Sequence, residues 1–163
     1  MATAAAPPST SPPGRGFGRR RVLVVFESGP AGVAALDCAR ELAEYEQATL
    51  TVVSVAPQEP LGMRCGGSPS DYNCAVRDAV AHELEQARAR LGEIGAHAAC
   101  ELLVEGRDLP LEDWCAMGTF DTILLPAHRR PLRAPSHPAA VALKRTGAEV
   151  RIIDRRGREL TLT

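Results

Sequence analysis

Residues Arg21–Phe26 read RVLVVF, followed by Glu27-Ser28-Gly29-Pro30 and then an Ala/Leu-rich stretch, Ala31–Tyr45. The apolar run does not alternate with polar residues, so it suits a strand buried on both faces. Glu27–Pro30 is a turn, and Pro30 suits the first turn of a helix because its missing N–H has no intrahelical partner there anyway. Ala35, Leu36, Ala39, Leu42 and Ala43 then recur at helical spacing. A doubly buried strand leading straight into an amphipathic helix is the start of a parallel sheet, whose neighbours need crossover connections.

The same alternation continues along the chain. Ala48–Ala56 (ATLTVVSVA) is β-branched and strand-like, and Pro57–Asn73 reads as a long loop. Cys74–Ile94 is predicted as a helix from Val76, Val80, Leu84, Ala87, Leu91 and Ile94, with Gly95 as its left-handed stop. Ala98–Val104 is a third strand, Pro110–Met117 a short helix stopped by Gly118, and Thr122–Leu125 a fourth strand. After the loop His128–Pro135, Ser136 is expected to cap a helix running to about Arg145, with Gly147 beyond it. Glu149–Asp154 is a fifth strand, and Glu159–Thr163 alternates like a terminal hairpin strand. The pattern predicts one α/β domain over residues 21–163. It is a three-layer α/β/α sandwich with a mainly parallel five-stranded sheet and an extra C-terminal hairpin strand. Residues 1–20 are rich in Pro, Ala and Ser and read as a disordered tail with no secretory apolar core.

Composition narrows the function. The chain has 163 residues, 24% of them charged, and a formal net charge of −1. That balance argues against electrostatic binding to nucleic acid, and six aromatic residues are too few for base-stacking platforms. No apolar run approaches the roughly 18 residues of a membrane span. Five cysteines without CxxC spacing form neither a disulfide nor a zinc framework, which fits a reducing, cytoplasmic setting. Cys65 and Cys74 could bridge within the long loop or be unrelated thiols. His82, His97, His128 and His137 show no ligand spacing, so no metal site is expected.

Ligand sites in such a fold lie beyond the carboxyl ends of the strands. Glu27 and Ser28 follow strand one. There a carboxylate could hold a ribose hydroxyl and a helix start could face an anion, or both residues could simply favour the helix start. Arg129, Arg130, Arg133 and Ser136 follow strand four and could hold a phosphate, or form a solvated basic loop. This loop contains no glycine, and prolines at 126, 131, 135 and 138 remove amide donors. A phosphate cradle needs the close approach that glycine allows. No nucleophile–base pair or catalytic motif is present, so an enzyme is not expected.

Arg21–Leu42 resembles the opening strand and helix of the universal stress protein family, with Glu27 where members carry an aspartate. Leu50–Ala56 resembles the second strand, Leu103–Gly106 with Phe120–Leu125 the "VxxG…ADLIVVG" segment, and Ser136–Ile153 the closing helix and strand. The resemblance implies an adenine nucleotide alpha hydrolase-like fold, a cytoplasmic stress-related role, and a homodimer that pairs C-terminal strands or engages another protein partner. ATP-binding members carry G-xx-G-x9-G-[ST] after strand four. Here Pro126, Arg129 and Pro135-Ser136 stand at those positions, and the segment is four residues short. The resemblance therefore does not carry over ATP or AMP as a cofactor. A nucleotide or anion held by Glu27, Ser28, Arg129, Arg130 and Ser136 without glycines is the alternative.

Overall fold

A computed structural model describes residues 19–59, 68–129 and 134–160. The chain runs β1 (Arg21–Val25), α1 (Pro30–Glu46), β2 (Thr49–Ala56), α2 (Pro69–Arg90), α3 (Glu93–His97), β3 (Ala99–Val104), α4 (Leu111–Gly118), β4 (Thr122–Pro126), α5 (Ala140–Lys144), β5 (Glu149–Ile153) and β6 (Glu159–Leu160). The sheet has six strands in the order β3-β2-β1-β4-β5-β6. The first five are parallel, and the appended C-terminal strand joins β5 antiparallel, with Ile152 opposite Leu160 and Ile153 opposite Glu159. The expected sandwich is therefore present, its sheet extended to six by the hairpin strand.

The period of two along each strand divides the core. Val22, Val24, Leu50, Val52 and Leu124 face α1 and α2 with Leu36, Ala39 and Leu84. Leu23, Val25, Val53, Ile123 and Leu125 face α4 and α5 with Cys115 and Leu143. Each fully buried aliphatic side chain contributes about 1.5–3 kcal/mol. The two layers are unequal: α1 and α2 have 17 and 22 residues, α4 and α5 only 8 and 5.

Several boundaries differ from the sequence reading. Helix α2 starts at Pro69 rather than Cys74, because Pro69 and Asp71 supply a favourable first turn. It ends before Gly92, whose φ of 62° makes the break, whereas Gly95 lies inside α3. Thr119, not Gly118, takes the left-handed position after α4, at φ 50°. Ser136 does not cap α5. It pairs with His128 in an isolated antiparallel bridge, and α5 begins four residues later with no side-chain cap. The tail over residues 1–18, Cys65, Arg130, Arg133 and Thr161–Thr163 lie outside the described residues. No helix among the described residues is long and apolar enough to cross a membrane.

Candidate functional site

From β1 the chain steps outward through β2 and β3, then returns to place β4 on the other side of β1. This reversal opens a crevice at the carboxyl ends of β1 and β4, where open α/β sheets bind ligands. Glu27 leaves β1 at that point. Helix α1 can start directly against it because Gly32 has no side chain: a Cβ there would lie 1.7 Å from the Glu27 carbonyl oxygen. Gly29, at φ 115°, makes the intervening turn.

On the β4 side, Ala127 N–H donates to the Ile153 carbonyl at 2.8 Å and ties the loop base to β5. His128 N–H then donates to the Ser136 carbonyl at 2.7 Å, and Ser136 N–H to the His128 carbonyl at 3.1 Å. This bridge closes the loop and makes His128 and His137 spatial neighbours, with ring centroids 4.7 Å apart. It also engages the amides of both closing residues with each other.

The two imidazoles converge on one carboxylate. His128 Nε2 lies 2.5 Å from Glu27 Oε2, and His137 Nε2 lies 3.0 Å from Glu27 Oε1. His137 is buried, and its Nδ1 accepts a hydrogen bond from Ala139 N–H at 3.1 Å. An accepting Nδ1 places the neutral ring's proton on Nε2, so His137 donates to Glu27. Burial pushes the Glu27 carboxyl up, but hydrogen bonds from His137 and His128 help to outweigh it. The group sits below the ordinary carboxylate value.

Glu27, His128 and His137 offer three ligand atoms within 4.8 Å of one another, a set that could bracket a metal ion. The surroundings favour protons instead. A metal on His137 Nε2 would move the ring proton to Nδ1, where it would meet the Ala139 N–H head-on. Metal-binding imidazoles donate from their second nitrogen rather than accept there. The arrangement is a carboxylate clamped by two donors, joining β1 to the β4–α5 loop.

Beside the clamp lies a cavity of about 730 Å³, a volume that suits a small-molecule site. Its floor includes Val25, Val55, Leu103 and Leu111, and its polar wall includes Glu27, His128 and His137. Ser28, Arg129 and Ser136 do not line it. Ser28 and Arg129 are exposed, and Ser136 contributes its backbone to the bridge. Of the described residues among Glu27, Ser28, Arg129 and Ser136, the structure thus brings Glu27 to the cavity. Spacing does not single out the histidines, because they stand nine positions apart and the bridge that unites them is a tertiary feature. Cys74 is exposed on α2.

Solved structures similar to this chain include members of the universal stress protein family. A family member from Burkholderia pseudomallei is 26% identical, with a TM-score of 0.62 over 82% of this chain and 94% of its own. Universal stress protein UspA from Lactobacillus plantarum is 21% identical, with a TM-score of 0.64 over 83% and 99%. The universal stress protein from Archaeoglobus fulgidus in complex with dAMP is 20% identical, with a TM-score of 0.51 over 83% and 98%. No family model and no curated protein matches the chain.

Proposed function

We propose that this chain, which has the universal stress protein fold, is a cytoplasmic, non-enzymatic stress-response module. On this reading it does not hold ATP in the usual way and acts by association with itself or with a protein partner. The observation that carries the reading is the engagement of the groups a nucleotide would need. Both Glu27 oxygens accept from histidines, and the loop-closing amides of His128 and Ser136 bond each other. Releasing them for ribose and phosphate would leave His137 buried with an unmet donor, an unfavourable exchange.

The C-terminal strands bear on association. β6 covers the β5 edge at Ile152 and Ile153, so a second copy would add to β6 or displace it. A nucleotide or anion held at the Arg-bearing loop is the second reading, favoured by the dAMP complex of the archaeal relative.

Titration calorimetry with ATP, AMP, cyclic AMP and phosphate, with mass spectrometry for co-purifying nucleotide, tests both readings. Silence across the panel is expected. ATP binding that is lost in a Ser136→Ala, Arg129→Ala double variant would replace the first reading with the second.

A further inference from the structure

We propose that the 730 Å³ cavity binds a small organic amine, a cation with an apolar body, and disfavours anions. The proposal rests on the reading that this site does not hold ATP in the usual way, and it names the ligand class the site takes instead. Three observations converge. The volume suits a small molecule, and the floor of Val25, Val55, Leu103 and Leu111 suits its carbon skeleton. Among the described residues, the ionisable side chains of the lining are the carboxylates of Glu27, Glu105, Asp108 and Glu112 and the two imidazoles, with no Lys or Arg. A wall of acceptors is met by a ligand that brings N–H donors. The third observation is which carboxylates are already committed. Glu27 is held by His128 and His137, while Asp108 accepts from Val104 N–H and the Arg107 guanidinium.

Glu105 and Glu112 differ from these two, forming no ion pair among the described residues. They flank the turn between β3 and α4, and both line the cavity. Charge complementarity therefore points to a cation whose ammonium sits toward Glu105 and Glu112 and whose apolar body lies over the floor. Among the described residues the lining has no Phe, Tyr or Trp to receive a quaternary ammonium by cation–π contact, so recognition falls to N–H donation by an amine that carries hydrogens.

The test uses three probes with one skeleton and three charges: tryptamine, tryptophol and indole-3-acetate. Each is titrated into the full chain at pH 7.5 by calorimetry, with ATP as a parallel probe. Tryptamine is expected to bind roughly 10- to 100-fold more tightly than indole-3-acetate, with tryptophol between them. The surface pair Glu105→Gln, Glu112→Gln is expected to bring tryptamine down to the tryptophol level and leave tryptophol unchanged. Indole-3-acetate equal to tryptamine, a double variant with the preference intact, or silence from all three probes would overturn the amine proposal. If ATP is also silent, that failure leaves the proposed function standing. ATP binding overturns the proposed function, whatever the indoles do.

Discussion

His137 Nε2 and Glu27 Oε1, 110 residues apart in sequence, lie 3.0 Å apart in the fold, and the ring's other nitrogen accepts from Ala139 N–H. One buried imidazole thus joins the end of β1 to the start of the α5 turn. His137→Ala removes both bonds and leaves a void, and we expect it to cost about 2–4 kcal/mol. Two further variants separate the bonds. Asn carries an acceptor near the Nδ1 position and can keep Ala139 satisfied, whereas Gln carries a donor nearer Nε2 and can reach Glu27. Each is expected to recover about 1 kcal/mol of the alanine loss in urea denaturation. If Asn and Gln unfold at the same midpoint as Ala, the two hydrogen bonds contribute nothing.

Glu27 has its folded-state ionisation below the ordinary value of 4.5. A carboxylate with a depressed folded pKa contributes stability above its unfolded value and loses it as pH falls through the folded value. Glu27→Gln should therefore be destabilised relative to the parent at pH 7. The gap should persist down to about pH 4.5 and close below it. Because the side chain is 38% exposed, solvent screening keeps the effect modest. Thermal melts of both proteins from pH 7 to pH 3 give the comparison, and a gap that widens on acidification would contradict the assignment.

Gly32 sets the position of Glu27. A Cβ at that glycine would lie 1.7 Å from the Glu27 carbonyl oxygen and 2.8 Å from its carbonyl carbon, both backbone atoms that no rotamer change can clear. Gly32→Ala must push α1 away from the end of β1, with an expected cost of about 3 kcal/mol or more. The His128 and His137 ring resonances should shift with it in NMR spectra. A variant with parental stability and unmoved resonances would show that the helix start is not packed in this way.

The strand–helix alternation was legible because β1, β2 and β4 are buried on both faces and carry their signal in composition alone. Where local signals competed, the sequence misled. Gly95 and Gly118 read as helix stops, but they are glycine for packing: a Cβ would lie 2.2 Å from the Arg88 carbonyl in one case and from the Phe120 ring in the other. The site was half legible. Glu27 follows from the end of β1, and Val24 pairs with Leu124 in the parallel register. Continuing three residues along each strand puts Glu27 level with Ala127, next to His128. That inference needs β1 and β4 as neighbours, which is topology rather than local pattern. His137 needs the 128–136 bridge as well, and no spacing rule on a linear chain supplies it.

The cysteines give an independent check on the core. Cys115 is buried in the α4 layer, and desolvation pushes its thiol up to about 12. The thiolate is the reactive form, so this residue should resist alkylation at pH 8 in the folded protein. Cys74, exposed on α2, should react readily. Iodoacetamide labelling followed by peptide mass spectrometry should find Cys115 modified only after denaturation. Labelling at Cys115 as fast as at Cys74 under native conditions would mean that α4 does not pack as described.

Asp154 holds the turn that returns the chain to β5. Its Oδ1 accepts from Arg158 N–H at 2.9 Å and Arg156 N–H at 2.7 Å, and its Oδ2 accepts from the Arg158 guanidinium. Those bonds, led by the one from Arg158 N–H, lower the carboxyl to about 2. The turn should therefore stay formed at neutral pH and through the ordinary carboxylate range, keeping β6 on the β5 edge at Ile152 and Ile153. An exposed strand edge recruits another strand. If association runs through these strands, a chain ending at Arg155 should dimerise more tightly than the full-length chain, because β5 no longer has an intramolecular partner. Asp154→Ala, which loosens the turn without removing β6, should fall between them. Light scattering on size-exclusion fractions across a concentration series reads the order directly. Monomers for all three would remove strand pairing as the mode of association, and a dimer lost on truncation would move the contact from β5 to β6.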